Sequence, residues 1–101
     1  MAHCYVVYWR DIPAQVVAAT GRRNQVKVPL SKRFQEAIDA AAMRGQARDA
    51  DSYLEDWRKG EPVECSGDLE AEANAVAGRL EEEFDAVRLK KLVKSGGRAG
   101  A

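Results

Sequence analysis

The feature that most constrains the fold is residues 8–17, whose sequence is Tyr-Trp-Arg-Asp-Ile-Pro-Ala-Gln-Val-Val. This segment ends one apolar run, passes through a short polar stretch with a proline, and starts a second apolar run. Because proline disfavours helical backbone in the residue before it, we predict a turn or an extended link at Ile12-Pro13. Two strands that meet here would form the unit against which the rest of the chain packs.

The first run, residues 3–9, has the β-branched and aromatic composition of a strand. Side chains alternate between the two faces of a strand, and here both faces are largely apolar. One face would carry His3, Tyr5, Val7 and Trp9, and the other would carry Cys4, Val6 and Tyr8. The strand is therefore expected to be covered on both sides, by helices of the same chain or by a partner.

Two further strands are predicted after this one. Residues 14–20 have Val-Val at their centre and end at Gly21, which favours a strand, although their Ala and Gln residues would also suit a short helix. Residues 25–30 alternate Val with Gln and Lys. This pattern indicates an edge strand, since Lys27 and Pro29 are residues that commonly protect an exposed edge.

Two helices are predicted in the middle of the chain. Ser31 is a suitable N-cap, and residues 32–44 follow with helical periodicity up to a stop at Gly45. The buried stripe of this helix would consist of Phe34, Ile38, Ala41 and Ala42. A short second helix would begin at Asp49 or Asp51 and reach Arg58, with the inward side chains Tyr53, Leu54 and Trp57.

The longest helix opens at Gly67-Asp68, after a short extended segment over Val63 to Cys65. Apolar residues recur in it at steps of three and four, which predicts one continuous buried seam. The seam consists of Leu69, Ala73, Val76, Leu80, Phe84 and Val87. Because the later apolar residues Leu89, Leu92 and Val93 fall off this seam, the helix is expected to bend near Val87 or to end in a turn there.

These elements predict a single α+β domain over residues 1–94, with a two- to three-stranded sheet packed by about three helices. A chain of 101 residues is near the usual size of one domain. The glycine-rich residues 95–101 are predicted to form a flexible tail.

The charge balance excludes several classes of partner. Sixteen basic and sixteen acidic residues cancel, so no global field attracts nucleic acid or an anionic membrane. Residues 1–60 carry ten Lys and Arg against seven Asp and Glu, whereas residues 61–101 carry six against nine. Such polarity favours docking onto a protein. No stretch approaches the roughly 18–20 apolar residues of a membrane span, and no signal peptide is recognisable, so a cytoplasmic protein is expected.

The sequence shows no catalytic or metal-binding motif. Cys4 and Cys65 are too few for a disulfide framework, and with His3 they do not provide the ligand spacing of a zinc site. The same residues also lack the arrangement of a nucleophile and its base. We interpret both cysteines as structural and predict no cofactor and no metal. The acidic residues near the end of the longest helix are interpreted as a solvated face: Glu81, Glu82, Glu83 and Asp85.

Two Trp-Arg pairs are the strongest candidates for a functional surface, because Trp and Arg are enriched in interface hot spots. Asp11 also suits a turn in which its carboxylate accepts backbone N–H groups, and Arg10 suits an ion pair with a carboxylate from a helix. The residues leave a structural and an interface role open. The candidate interaction residues are Trp9, Arg10, Asp11, Trp57 and Arg58.

Two alternative functions remain at the level of sequence. The first is a small ligand-binding domain or enzyme whose pocket gathers Tyr8, Arg10, Asp11 and Trp57. The second is nucleic-acid binding through a basic patch, but that patch lacks interleaved aromatic residues, so a protein contact or a solvated loop is favoured. The patch consists of Arg22, Arg23, Lys27, Lys32 and Arg33.

The segment Val7-Tyr8-Trp9-Arg10-Asp11-Ile12-Pro13-Ala14-Gln15-Val16 resembles the signature of a small bacterial family labelled "virulence factor". The similarity continues through residues 34–39, 42–44, 53–57 and 92–97, and so covers most of the chain. Related domains also occur in longer chains beside iron–sulfur-scaffold-like and helical-repeat modules. Free-standing members accompany folate- and corrinoid-dependent one-carbon enzymes, in particular proteins like methylenetetrahydrofolate reductase.

The resemblance implies an accessory or interaction domain whose partner carries the chemistry, and it transfers no catalytic residues to this chain. The residues agree, because they offer Trp-Arg pairs and no catalytic set. We therefore expect a non-catalytic accessory subunit of a larger cytoplasmic enzyme, with a protein partner that is either the enzyme subunit or a second copy of this chain.

Overall fold

The computed structural model describes residues 2–21, 24–44 and 54–97. These residues form an antiparallel sheet of five strands: β1 Ala2–Trp9, β2 Ile12–Thr20, β3 Asn24–Pro29, β4 Trp57–Lys59 and β5 Val63–Cys65. They also form three helices: α1 Lys32–Arg44, α2 Leu69–Glu83 and α3 Ala86–Lys94. The predicted α+β class is confirmed.

The strand β1 is the centre of the sheet, whose order is β3-β2-β1-β4. The strand β5 also pairs with β1, along the part that β4 leaves unpaired. The predicted sheet of two or three strands was therefore too small. The strands β4 and β5 have three residues each, so their own sequences carry little alternation, and their pairing with β1 is what makes them strands.

The predicted short helix that ends at Arg58 is wrong at its C-terminal end. Trp57 and Arg58 lie in β4, opposite Trp9 and Tyr8 of β1. Leu54, which was expected to face inward, is exposed. The edge of β1 carries backbone N–H and C=O groups that need hydrogen-bond partners, and this segment supplies them as an extended strand. The free energy of this pairing outweighs the local helical preference of the segment. Asp49, Asp51 and Tyr53 lie outside the described residues.

The segment 14–20 is a strand, as predicted, and this strand already begins at Ile12. Tyr8 pairs with Pro13 and Val7 pairs with Gln15, so Ala14 is the extra residue of a β-bulge. A proline has no N–H to donate to a neighbouring strand, and bulges are among the places where a sheet tolerates one. The turn itself lies one step earlier, at Arg10 and Asp11.

The hydrophobic core lies between the sheet and the helices. α2 packs across β2 and β3, while α1 packs against β2 and α3. The rings of Phe34 and Phe84 meet at a centroid distance of 6.3 Å and an angle of 58°, a tilted arrangement that aromatic pairs favour. The largest side chains without solvent contact are Trp9, Phe34, Ile12, Ile38 and Val16. Each such residue contributes about 1.5–3 kcal/mol by burial.

The long helical segment is interrupted at Phe84 and Asp85. The carboxylate of Asp85 accepts the N–H of Arg88 at 2.9 Å and caps the new helix α3. The predicted seam holds as far as Phe84, which is buried. Val87 is 64% exposed, so its predicted burial was wrong, because the new helix starts in a different rotational phase.

Ser95 to Gly97 do not form the flexible tail that was predicted from Ser95. The N–H of Gly97 donates to the carbonyl of Leu92 at 2.7 Å, and the N–H of Gly96 donates to Val93 at 3.0 Å. With a φ of +70° at Gly96, this is a Schellman cap, which ends a helix with glycine in the left-handed region. Both glycines are buried. Residues 98–101 lie outside the described residues.

Candidate interaction site

The Arg10-Asp11 turn is held in an unusual backbone conformation. Trp9 and Ile12 pair across it, so only two residues connect β1 to β2. Arg10 has a φ of +54°, which costs a non-glycine residue about 1–2 kcal/mol. The N–H of Arg10 donates to the carbonyl of Asp56 at 3.0 Å, and the N–H of Asp11 donates to the carbonyl of Gly97 at 2.8 Å. Backbone bonds to two distant segments thus hold the turn.

The side chain of Arg10 joins the same segments. Its Nε donates to Oδ2 of Asp56 at 2.9 Å, and its Nη1 donates to the carbonyl of Gly96 at 2.5 Å. The guanidinium also lies 4.6 Å from the ring centroid of Trp9. The side chain is only 12% exposed. Arg10 has a carboxylate partner, but Asp56 lies in a turn and not in the helix that was predicted to supply it. The position of Arg10 is that of an internal brace.

Arg58 and Asp11 form a second, more open ion pair at the same corner. Nη2 of Arg58 lies 3.1 Å from Oδ1 of Asp11, and Nε of Arg58 donates to the carbonyl of Arg10 at 3.0 Å. The guanidinium covers the ring of Tyr8 at 4.6 Å. The Arg58 side chain is 51% exposed, so this pair lies on the surface beside the internal one.

The structure therefore brings the five candidate interaction residues together, but it gives them different positions. Trp9 has no exposed surface, and Arg10 is nearly buried. Trp57, which pairs with Trp9, is half-buried. Asp11, Trp57 and Arg58 are the members that a partner can reach.

A shallow cavity of about 430 Å³ lies next to this corner, on the sheet face opposite the core. Val16 and Ala18 of β2 point into the core, whereas Val17 points the other way, between its paired neighbours Tyr5 and Lys27. We call this surface the outer-face cavity. Its lining residues are Tyr5, Val7, Gln15, Val17, Gln25, Lys27, Trp57, Arg58 and Lys59.

The lining of the outer-face cavity has one sign of charge. Among the described residues, it contains Lys27, Arg58 and Lys59 and no carboxylate, although the guanidinium of Arg58 extends over Tyr8 to Asp11 on the other face. Nζ of Lys59 lies 5.4 Å from the ring centroid of Tyr5, within the range of a cation–π contact. The sequence indicated that β1 has two apolar faces, but it gave no sign of Lys59, because the preceding residues Trp57 and Arg58 were predicted to end a helix and not to start a strand.

The alternative pocket hypothesis finds less support in this geometry. Tyr8 and Asp11 line a different cavity of about 540 Å³ on the helical side of the sheet. Trp57 lines the outer-face cavity, and Arg10 lines neither of these two. These two cavities separate the four residues that the hypothesis requires together.

The predicted basic patch does not form one surface among the described residues. Lys27 lies on the outer face of the sheet. Lys32 lies on the exposed side of α1, where its Nζ is 4.0 Å from Oε1 of Glu36. Arg33 donates through Nη2 to Oε1 of Glu81 at 3.0 Å. Arg22 and Arg23 lie outside the described residues.

Glu81 also corrects the interpretation of the acidic run as a uniformly solvated face. Its carboxylate accepts the N–H of Ser31 at 2.7 Å and the hydroxyl of Ser31 at 2.8 Å. Partial burial acts to raise the pKa of Glu81, but the hydrogen bonds from Ser31 and Arg33 and the charge of Arg33 outweigh it. The pKa of Glu81 therefore lies below its ordinary value of 4.5. Glu82 and Glu83 remain exposed.

The two cysteines, predicted to be structural, approach each other closely. Sγ of Cys4 donates to Sγ of Cys65 at 3.1 Å, and neither is in a disulfide. Burial raises the pKa of the Cys4 thiol to about 12, with further contributions from Cys65 and from the carboxylate of Glu72. Neither spacing nor local pattern in the sequence predicts this proximity.

The profile of a protein family described as "Virulence factor" matches residues 7–93. The chain belongs to the Virulence factor family. The resemblance seen in the sequence is thereby confirmed over most of the domain. No curated protein and no solved structure matches this chain. In the described part of this Virulence factor family member, no helix is long and apolar enough to cross a membrane.

Proposed function

We propose that this Virulence factor family member is a non-catalytic accessory subunit that docks onto a larger cytoplasmic enzyme. The outer-face cavity carries the proposal. It combines an aromatic and aliphatic floor, built from Tyr5, Val7 and Trp57, with cationic side chains at its edge. An apolar centre within a polar rim is the usual organisation of a protein interface.

The charge of the outer-face cavity supports a partner with an acidic surface. Because Lys27 and Lys59 line it and none of the described lining residues is a carboxylate, the complementary surface presents Asp or Glu around apolar side chains. Charge complementarity of this kind raises the association rate and selects among partners more than it raises affinity. The guanidinium of Arg58 lies instead against Tyr8 and Asp11, which line the cavity on the helical side of the sheet, so Lys27 and Lys59 supply the charge that a partner would meet.

The enzyme class that we propose to test first is the folate- or corrinoid-dependent one-carbon enzymes, such as proteins like methylenetetrahydrofolate reductase. The family resemblance supports this choice. A second copy of this chain is the other partner that the proposal allows. The corner of Arg10 and Asp11 supports a docking role indirectly, because it fixes β4 and hence the edge of the cavity.

The test starts from the untagged protein in native extract, with identification of any stoichiometric partner and calorimetry on the purified pair. We expect the double variant K27E/K59E to weaken binding at least tenfold, or about 1.4 kcal/mol. The matched control is K90E/K91E, which reverses two exposed charges on α3. A one-carbon enzyme that binds both variants equally, or a monomer that binds neither such an enzyme nor itself, would refute the proposal.

A further inference from the structure

The pairing of β5 with β1 creates a second cluster, separate from the outer-face cavity. Cys4 pairs with Val63 and Ala2 pairs with Cys65, so the two cysteines are diagonal neighbours on one face of the sheet. That face carries α2, whose first turn contains Glu72. The two Sγ atoms and a carboxylate oxygen of Glu72 all lie within 4.8 Å of one another.

These distances fit a shared cation better than a disulfide. With Zn–S bonds of about 2.3 Å, the two thiolate sulfurs of a tetrahedral site lie about 3.8 Å apart. The Sγ atoms of Cys4 and Cys65 are 3.1 Å apart, so they need to move only slightly further apart to bind one ion. A disulfide requires about 2.05 Å. Diagonal cross-strand residues have Cα atoms about 7–8 Å apart, which exceeds the usual disulfide range of about 4.4–6.8 Å.

The surroundings of the cluster also favour a cation. The three side chains open onto a cavity of about 440 Å³, whose charged lining consists of Glu61, Glu64, Glu72 and Arg79. Glu64 is next to Cys65 in β5 and points to the other face of the sheet. Among the described residues, the carboxylates of Glu61 and Glu72 against one guanidinium still leave this cavity negative. The N–H of Ser66 donates to Oε2 of Glu72 at 3.4 Å, the kind of outer contact that orients a metal-binding carboxylate.

We propose that Cys4, Cys65 and Glu72 bind one thiophilic divalent cation, with Zn²⁺ as its probe. Three protein ligands leave the fourth position of a tetrahedral ion open. All three ligand residues line the 440 Å³ cavity, from which water or a small anionic ligand would complete the coordination. The site lies on the helical side of the sheet and is independent of the proposed docking surface.

The test uses the full chain, reduced and stripped of metal, and titrated with Zn²⁺ by calorimetry in competition with a chelator. Co²⁺ serves as a second probe, because thiolate ligation gives it charge-transfer absorption in the near ultraviolet. We expect one ion per chain. The substitution E72Q should weaken Zn²⁺ binding by roughly 100-fold, since loss of even an outer-sphere partner costs about 10–100-fold. C4S and C65S should each weaken the Co²⁺–thiolate band, and the double variant C4S/C65S should abolish it.

The control is E70Q, which changes an exposed carboxylate on the same turn of α2. Circular dichroism establishes that each variant is folded. Equal Zn²⁺ affinity for E72Q and E70Q would overturn the assignment of Glu72. Absence of the Co²⁺–thiolate band in the reduced wild-type protein would overturn the site, as would a native protein whose mass and thiol content show a Cys4–Cys65 disulfide.

Discussion

At the scale of single residues, the side chain of Arg10 connects three segments of the chain: its own turn, the turn at Asp56 and the C-terminal turn at Gly96. Its positive φ is unfavourable for arginine, yet the residue sits where Asp56 and Gly96 accept its guanidinium hydrogen bonds. Strain of this kind persists only where the surroundings determine it strongly. Sequence composition pointed to Arg10 as an interface residue or a structural one, and its low exposure places it inside the corner.

We predict that R10A lowers the free energy of unfolding by about 2–4 kcal/mol, because truncation removes the charged donor that the carboxylate of Asp56 and the carbonyl of Gly96 share. Urea denaturation measures this loss. The control is K32A, which removes an ion pair whose side chains are 88% and 67% exposed and should change stability by less than about 0.5 kcal/mol. Similar losses in R10A and K32A would contradict a bracing role for Arg10.

At the scale of elements, the acidic C-terminal end of α2 is explained by its neighbour. Carboxylates at a helix C-terminus are unfavourable with respect to the helix dipole, and α2 has no basic residue in its last turn. Glu81, however, binds Ser31 at the N-terminus of α1, whose own first turn has no acidic residue. One carboxylate thus complements the positive end of another helix and fixes α1 to α2.

This contact predicts a specific dependence of stability on pH. The pKa of Glu81 is lower in the folded protein than its ordinary value of 4.5. The stabilisation it provides is therefore present above the unfolded pKa and is lost as pH falls through the folded pKa. We expect E81Q to be less stable than wild type at neutral pH and to show a smaller loss of stability on acidification below about pH 4.5.

Thermal unfolding followed by circular dichroism from pH 7 to pH 3 measures this effect. The matched control is E82Q, which alters the exposed neighbour of Glu81 on the same helix. The predicted role of Glu81 would be wrong if E81Q and E82Q lost stability in parallel across the acid range.

At the scale of the whole molecule, the C-terminal turn closes the fold onto its first hairpin. Gly96 and Gly97 cap α3 and at the same time accept hydrogen bonds from Arg10 and Asp11. A Cβ at Gly97 would lie 3.0 Å from Cζ3 of Trp9. The glycine is thus required both by its φ of +92° and by close packing against the first strand.

We predict that G97A destabilises the protein by about 1–3 kcal/mol more than G21A does. Gly21 also has a positive φ, of +65°, but a Cβ there would meet nothing within 4 Å. The comparison separates backbone strain, which both variants suffer, from the clash with Trp9, which only G97A suffers. Equal losses for the two variants in chemical denaturation would show that the turn does not pack tightly on the hairpin.

The sequence by itself determined the types and approximate ends of the longer elements. The Val-Val centre and glycine stop of residues 14–20, the alternation over residues 25–30 and the helical periodicity over residues 32–44 are local properties, and strand and helix geometry repeat every two or 3.6 residues.

Tertiary structure decided what local pattern does not encode. The strand β4 and the Gly96-Gly97 cap depend on partners in β1 and its turn, and the cap lies 86 residues from Arg10. Cys4 and Cys65 are separated by 61 residues and have no motif spacing, yet the pairing of β5 with β1 places them beside Glu72. Hydrogen bonds between strands do not depend on side-chain identity, so the local sequences of β4 and β5 do not reveal that these strands pair with β1. That pairing places the residues of both proposed sites next to one another.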